Sequence, residues 1–192
     1  MLHSVCVYCG SSSSAGDDYI QAARAAGEAI AARGLDLIYG GAKVGLMGVV
    51  ADTVLARGGR VTGVIPRALV DKEVAHPGLS VQHVVESMHD RKALMSELAD
   101  GFLALPGGFG TLDELFEMLT WSQLGFHSKP IALLNTAGYF DGLLSFCDRA
   151  VRDGFVHAAH RQMIRTGVDA AQLLDQMRAA CEPATSPPRS LQ

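Results

Sequence analysis

The chain has no apolar run of the roughly 18 residues that a membrane-spanning helix requires. Its first residues, Met1-Leu2-His3-Ser4-Val5-Cys6, carry no basic stretch of the kind that opens a secretory signal. It also lacks positive charge: 16 Lys and Arg against 20 Asp and Glu give −4, the wrong sign for a nucleic-acid surface. A cytoplasmic protein with no membrane and no nucleic-acid partner is the expectation. Four cysteines are too few and too scattered for a disulfide scaffold. Cys6-x-x-Cys9 has half the spacing of a metal or redox site, but Cys147 and Cys181 lie far off and Cys6 sits in an apolar strand. Buried structural thiols are the reading. The seven histidines form no H-x-x-x-H or H-E-x-x-H set, so no metal is expected. His3, His83, His157 and His160 read as surface or core, whereas His89 and His127 flank the stretch described next. No G-x-S-x-G is present, and Ser11 to Ser14 reads as polar loop lining.

What the chain does have is apolar residues (48%) and 21 glycines among 192 residues, the composition of a tightly wound α/β core. Apolar runs at His3–Tyr8, Leu35–Tyr39, Arg60–Ile65, Val81–Val85, Gly101–Leu105, Pro130–Leu134 and Met163–Thr166 read as strands. Helical patterns separate them, over Asp17–Arg33 with a Gly34 cap, Met47–Arg57, Ser87–Ala99, the stretch beyond Thr111, Tyr139–Asp153 and Val168–Ala180. Arg67 to Leu79 has no clean period and reads as loop or short helix. Alternation of this kind predicts a Rossmann-like, doubly wound parallel sheet of six to seven strands, helices on both faces, in one domain over 1–181. Residues 182–192, with three prolines, read as a flexible tail.

The organising stretch is Leu103-Ala-Leu-Pro106-Gly107-Gly108-Phe109-Gly110-Thr111-Leu112-Asp113-Glu114. A buried strand ends at Pro106, a glycine-rich turn follows, and Leu112, Leu115, Phe116 and Leu119 recur at helical spacing. A helix N-terminus behind a bare glycine loop is an anion site, and phosphate is the usual biological anion. Thr111-x-x-Glu114 also matches a capping box, with Thr111 as N-cap and Glu114 reaching back to it. The stretch is neither a dinucleotide fingerprint, since Asp113 stands where the third glycine belongs, nor a Walker A loop. Two further polar or glycine-rich strand exits, Gly10–Ser14 and Gly40–Gly45, should meet it in one crevice beyond the strands' carboxyl ends. Arg91 lies on the apolar stripe of Met88, Met95 and Leu98, where a guanidinium needs a partner. It either snorkels or pairs with Asp90 or Glu86, or it faces an anion in the crevice, and its place early in the helix, near a strand's carboxyl end, favours the crevice.

Pro106-Gly-Gly-Phe-Gly-Thr-Leu-Asp-Glu114 resembles the P-G-G-x-G-T-x-x-E motif of the LONELY GUY (LOG) family, the cytokinin riboside 5′-monophosphate phosphoribohydrolases. Met88-His-Asp-Arg91-Lys92 is similar to that family's M-x-x-R-K. Similarity extends through Val5–Ser12, Tyr39–Asp52, Lys72–Leu79 and Thr120–Asn135. The resemblance implies hydrolysis of the N-glycosidic bond of an N6-substituted adenosine 5′-monophosphate, giving free base and ribose 5-phosphate, with no metal or other cofactor. It implies that Arg91 and Glu114 are catalytic. Glu73, Lys92, Thr120 and the loop of Gly107, Gly108, Phe109, Gly110, Thr111, Leu112 and Asp113 would bind substrate or phosphate. It also implies a homodimer with the base pocket near the subunit interface. Proteins with this motif are sometimes labelled lysine decarboxylases, but that chemistry needs pyridoxal phosphate on a lysine. Lys43, Lys72, Lys92 and Lys129 sit in no evident cofactor motif. A nucleosidase acting on plain AMP or other nucleoside monophosphates, and a non-catalytic nucleotide or cofactor carrier, are the alternatives.

Overall fold

A computed structural model of the protein describes residues 1–70 and 75–182. Seven strands form one parallel sheet among these residues: β1 (Ser4–Tyr8), β2 (Asp36–Tyr39), β3 (Val61–Pro66), β4 (Val81–Val85), β5 (Phe102–Ala104), β6 (Ile131–Leu134) and β7 (Ile164–Gly167). Between them run α1 (Asp17–Ala32), α2 (Gly45–Ala56), the single turn α3 (Arg67–Val70), α4 (Met88–Leu98), α5 (Phe109–Gln123), α6 (Asp141–Arg152), the short α7 (Ala158–Arg161) and α8 (Ala170–Ala180). The doubly wound sheet expected from the sequence is present, with strand boundaries within one or two residues. The short α7 and a 3₁₀ turn at Thr136–Gly138 fall where no element was expected.

The sheet separates two apolar layers, because successive residues of a buried strand face opposite ways. Val5, Val7 and Cys9 pack with α1, α2 and α8, while Cys6 and Tyr8 pack with the layer of α4, α5 and α6. Cys6 and Cys9 therefore face opposite sides of the sheet, and both thiols are free. Val5, Cys6, Leu37, Phe102, Leu103 and Ala132 are all fully buried, as expected of strands covered on both faces. Each large aliphatic side chain sequestered this way contributes about 1.5–3 kcal/mol. The helix ends follow local rules. Gly34 N–H reaches Ala31 O and Leu35 N–H reaches Ile30 O, a Schellman turn that closes α1.

The strand order is β4-β3-β2-β1-β5-β6-β7. The chain winds outward from β1 to β4, crosses back, and continues from β5 on the other side of β1. The order reverses between β1 and β5, and in an open α/β sheet that is where a crevice opens beyond the carboxyl ends. The ladder runs on into this gap, with Leu105 N–H to Tyr8 O at 2.8 Å and Gly10 N–H to Pro106 O at 3.0 Å. No helix among the described residues is long and apolar enough to cross a membrane.

Candidate active site

Three strand exits close on the crevice. Gly10 and Gly107 meet backbone to backbone: a Cβ on Gly107 would lie 2.7 Å from Gly10 N and would overlap the Thr111 hydroxyl. The β2 exit reaches the same place, where Leu46 N–H donates to Gly10 O at 2.9 Å. A cavity of about 230 Å³ results, walled by Cys9, Gly10 and Ser11 after β1, by Met47 of α2, and by the start of α5. Arg91 and Glu114 complete its lining.

The start of α5 departs from the sequence reading. The N-cap is Gly108, three residues before the expected position, and its lack of a side chain leaves the end uncapped. Thr111 is therefore the third residue of the helix, buried against Gly107, and it makes no capping box with Glu114. The first intrahelical bond is Leu112 N–H to Gly108 O, so the N–H groups of Phe109, Gly110 and Thr111 have no partner within the helix. These are the groups, with the positive end of the helix dipole behind them, that a phosphate would take.

A capping box does exist, one helix earlier. Ser87 Oγ accepts from Asp90 N–H at 3.0 Å, and Asp90 Oδ2 accepts from Ser87 N–H at 3.1 Å. This fixes the first turn of α4 and with it Arg91. Arg91 is 9% exposed and Glu114 8%, and they pair at 3.2 Å, Nη1 to Oε1. Arg91 Nε donates to Val64 O at 3.2 Å, and Nη1 lies 3.1 Å from Met88 Sδ. Its partner is thus neither Asp90, spent on the cap, nor Glu86, which lies near Arg67. The guanidinium needs Gly40: a Cβ there would overlap Arg91 Nη2.

Burial pushes the Glu114 carboxyl above its ordinary range, Arg91 pulls it back, and neighbouring Asp113 pushes it up again. Burial also raises the Cys9 thiol, helped by Glu114, so this wall of the cavity stays neutral at physiological pH. Beside the pair, Lys92 Nζ sits 3.0 Å from Asp113 Oδ2 and 3.2 Å from Glu117 Oε2. Burial works against the Lys92 charge, but these two carboxylates outweigh it and its ammonium is held above the usual lysine value. The arrangement offers an anion cradle, a buried carboxylate one helical turn further on, and a guanidinium paired with that carboxylate. Those are the parts needed to hold a sugar phosphate and to meet positive charge on its ring.

A family model described as "possible lysine decarboxylase" matches residues 47–177. A probable cytokinin riboside 5′-monophosphate phosphoribohydrolase of Oryza sativa subsp. japonica is 49% identical over 173 residues, covering 90% of this chain and 76% of the relative. A cytokinin riboside 5′-monophosphate phosphoribohydrolase of Arabidopsis thaliana is 45% identical over 175 residues, covering 91% and 77%. The chain belongs to the LOG family. Among solved structures, the molybdenum cofactor binding protein of Rippkaea orientalis matches with a TM-score of 0.72 at 20% identity, covering 95% of this chain and 99% of that one. The molybdenum cofactor carrier protein of Chlamydomonas reinhardtii matches at 0.71 and 18%, covering 94% and 98%. At these identities the likeness is one of fold.

Of the LOG residues expected from the sequence, the structure gathers Arg91, Glu114, Gly108, Phe109, Gly110 and Thr111 around one cavity. Gly107 lies at its edge, lining an adjoining pocket that shares Gly10, Ser11 and Gly108. Lys92 and Asp113 are engaged with each other rather than with the cavity, and Leu112 packs into the core. Thr120 lies two turns beyond Glu114 on a different side of α5, donating to Phe116 O and lining a separate apolar pocket. Glu73 falls outside the described residues, as does Lys72. His89 is exposed, and His127 bonds Met118 O, outside the cavity lining. Gly40 was expected in a crevice loop, but its role as the berth of Arg91 appears only once Arg91 is placed. The sequence reading missed His76, a buried residue bonded to Asp52 at 3.0 Å, whose N–H holds Gly41 O at 2.9 Å. No cluster of three or more His, Cys, Asp or Glu suited to a metal occurs among the described residues.

Proposed function

We propose that this LOG-family protein hydrolyses the N-glycosidic bond of N6-substituted adenosine 5′-monophosphates, releasing free base and ribose 5-phosphate. The buried Arg91–Glu114 pair, facing the cavity into which the uncapped α5 opens, carries the reading. The N–H groups of Phe109, Gly110 and Thr111, with the Thr111 hydroxyl nearby, hold the 5′-phosphate. Glu114 lies one turn along the same helix, so a phosphate on one side of the sugar sets C1′ near the carboxylate. As the base leaves, positive charge builds on the ribose. Glu114 stabilises it and takes a proton from the attacking water. Arg91 favours the ionised form of Glu114 against the effect of its burial and fixes one of its oxygens. It also donates a hydrogen bond to the departing, electron-rich base, which takes a proton from solvent while Glu114 later returns to solvent the one it removed from water. Phosphate binding energy then lowers the barrier by holding the sugar in place.

Lys92 and Asp113 support this site from behind, and Leu112 anchors α5 beneath it. Glu73 and Thr120 are further substrate contacts in this reading. The protein acts as a cytoplasmic homodimer without nucleic-acid or membrane partners, and Thr120 meets substrate through the subunit interface. Large exposed apolar side chains on and beyond α5 and α6, including Phe116, Leu124, Phe126, Phe146 and Phe155, support such an interface.

The test compares wild type with Glu114→Gln and Arg91→Ala on N6-isopentenyladenosine monophosphate and on AMP, each variant checked for folding by circular dichroism. Turnover of the N6-substituted nucleotide that both variants lose is expected. Equal turnover of AMP would redirect the reading to a general nucleotide nucleosidase. Binding without base release would leave a carrier.

A further inference from the structure

We infer that Tyr139 is a positioning residue that sets the grip of the site on the 5′-phosphate, an inference that rests on the phosphate-binding part of the function proposed above. Its hydroxyl donates to Gly107 O at 2.7 Å, although the two residues are 32 apart in sequence. In a trans peptide the carbonyl and the following N–H point opposite ways. Holding the Gly107 carbonyl toward Tyr139 therefore turns the Gly108 N–H away from Tyr139, whose pocket adjoins the cavity that Gly108 also lines. A Gly-Gly peptide is otherwise cheap to flip. The flipped state would aim a carbonyl oxygen at a bound anion and withdraw an N–H from it.

The segment that carries Tyr139 is built to hold it still. Asn135, at the end of β6, accepts from Phe140 N–H and donates to Asp141 Oδ1, both at 2.7 Å. Between these bonds the chain makes a 3₁₀ turn in which Ala137 takes φ 51°, the one non-glycine residue with positive φ among the described residues. An alanine is strained in that region and persists there only where its surroundings impose it. The Tyr139 ring is wedged edge-on against Tyr19 at 5.6 Å and against buried Phe140 at 5.1 Å. The ring nevertheless remains 44% exposed, in the wall of the pocket that adjoins the cavity through Gly10, Ser11 and Gly108. Burial alone does not account for a tyrosine there; the bond to Gly107 does.

Tyr139→Phe keeps the ring and removes the bond. Titration calorimetry with inorganic phosphate and with ribose 5-phosphate should show both binding about five- to tenfold more weakly, the effect of one lost hydrogen bond. The KM for the nucleotide should rise by a similar factor with kcat changed less than twofold, and the melting temperature should stay close to wild type. Asn135→Ala should weaken phosphate in the same direction, and the double variant should be less than additive, since both act through one hydroxyl. Unchanged phosphate affinity in Tyr139→Phe would overturn the inference, as would a fall in kcat alone or full additivity with Asn135→Ala. Wild type that binds ribose 5-phosphate but releases no base would sink the proposed function and leave this inference standing.

Discussion

Gly40→Ala tests the geometry of the pair more sharply than removing either partner. The added methyl would overlap Arg91 Nη2 and lie 2.8 Å from Cζ and 2.6 Å from Met47 Cε. Met47 is the end of a flexible chain and can step aside. Arg91 cannot, since Val64 O and Glu114 Oε1 hold it at 3.2 Å each. Restoring an ordinary carbon contact of roughly 3.5–4.0 Å moves the guanidinium by about 1 Å. That is enough to break the bond to Glu114, and a misplacement of about 1 Å in a reacting group can cost on the order of a hundredfold in rate. Overpacking itself should cost about 1–3 kcal/mol, a fall in melting temperature of roughly 2–10 °C for a chain of this size. Steady-state hydrolysis of the N6-substituted nucleotide, beside a thermal melt, reads both quantities. A folded Gly40→Ala protein with turnover within about threefold of wild type would refute the argument that Arg91 needs this berth.

Three more outcomes follow from the same site. Because burial holds the Glu114 carboxyl above its ordinary range, the acid limb of kcat/KM should lie above the usual glutamate value of about 4.3. In the window between those two values the folded state holds a proton that the unfolded chain has released. Stability therefore falls as pH rises through it, and Glu114→Gln should flatten that slope in pH-dependent melts. Lys92→Met should move the acid limb further up, since Lys92 favours the ionised Glu114, and should cost about 1–3 kcal/mol by leaving the Glu117 carboxylate without its cation; an unmoved limb counts against this. His76→Ala should lower stability by about 1–2 kcal/mol in chemical denaturation, because Asp52 and the Gly78 N–H lose the ring that bonds them.

The fold was legible because its five inner strands, unlike the edge strands β4 and β7, are covered on both faces and so read as short continuous apolar runs. Val5, Leu37, Val61, Leu103 and Leu133, one from each of five strands, are buried without exception. The crevice was legible for a related reason: bare glycines follow β1, β2 and β5, and the winding order brings those exits together. One local reading failed, and so did one of the two alternatives for Arg91, although Arg91 does line the crevice. Thr111-x-x-Glu114 satisfies the capping pattern, yet Gly108 starts the helix earlier and sends the threonine into the interior. Arg91 has acidic neighbours at Glu86 and Asp90, but its partner lies 23 positions away on the next helix, where only tertiary packing places it. Tyr139 and His76 escaped for the same reason, since each acts on a backbone group from a distant segment. Sequence spacing reports which helix face a residue occupies. It does not report what stands opposite.

The most direct test of the central claim is to incubate the purified protein with N6-isopentenyladenosine monophosphate and quantify every product by chromatography over time. Free base and ribose 5-phosphate should appear in equal amounts as the nucleotide disappears, with none formed by Glu114→Gln. Nucleotide recovered intact from wild type that demonstrably binds it would contradict the account.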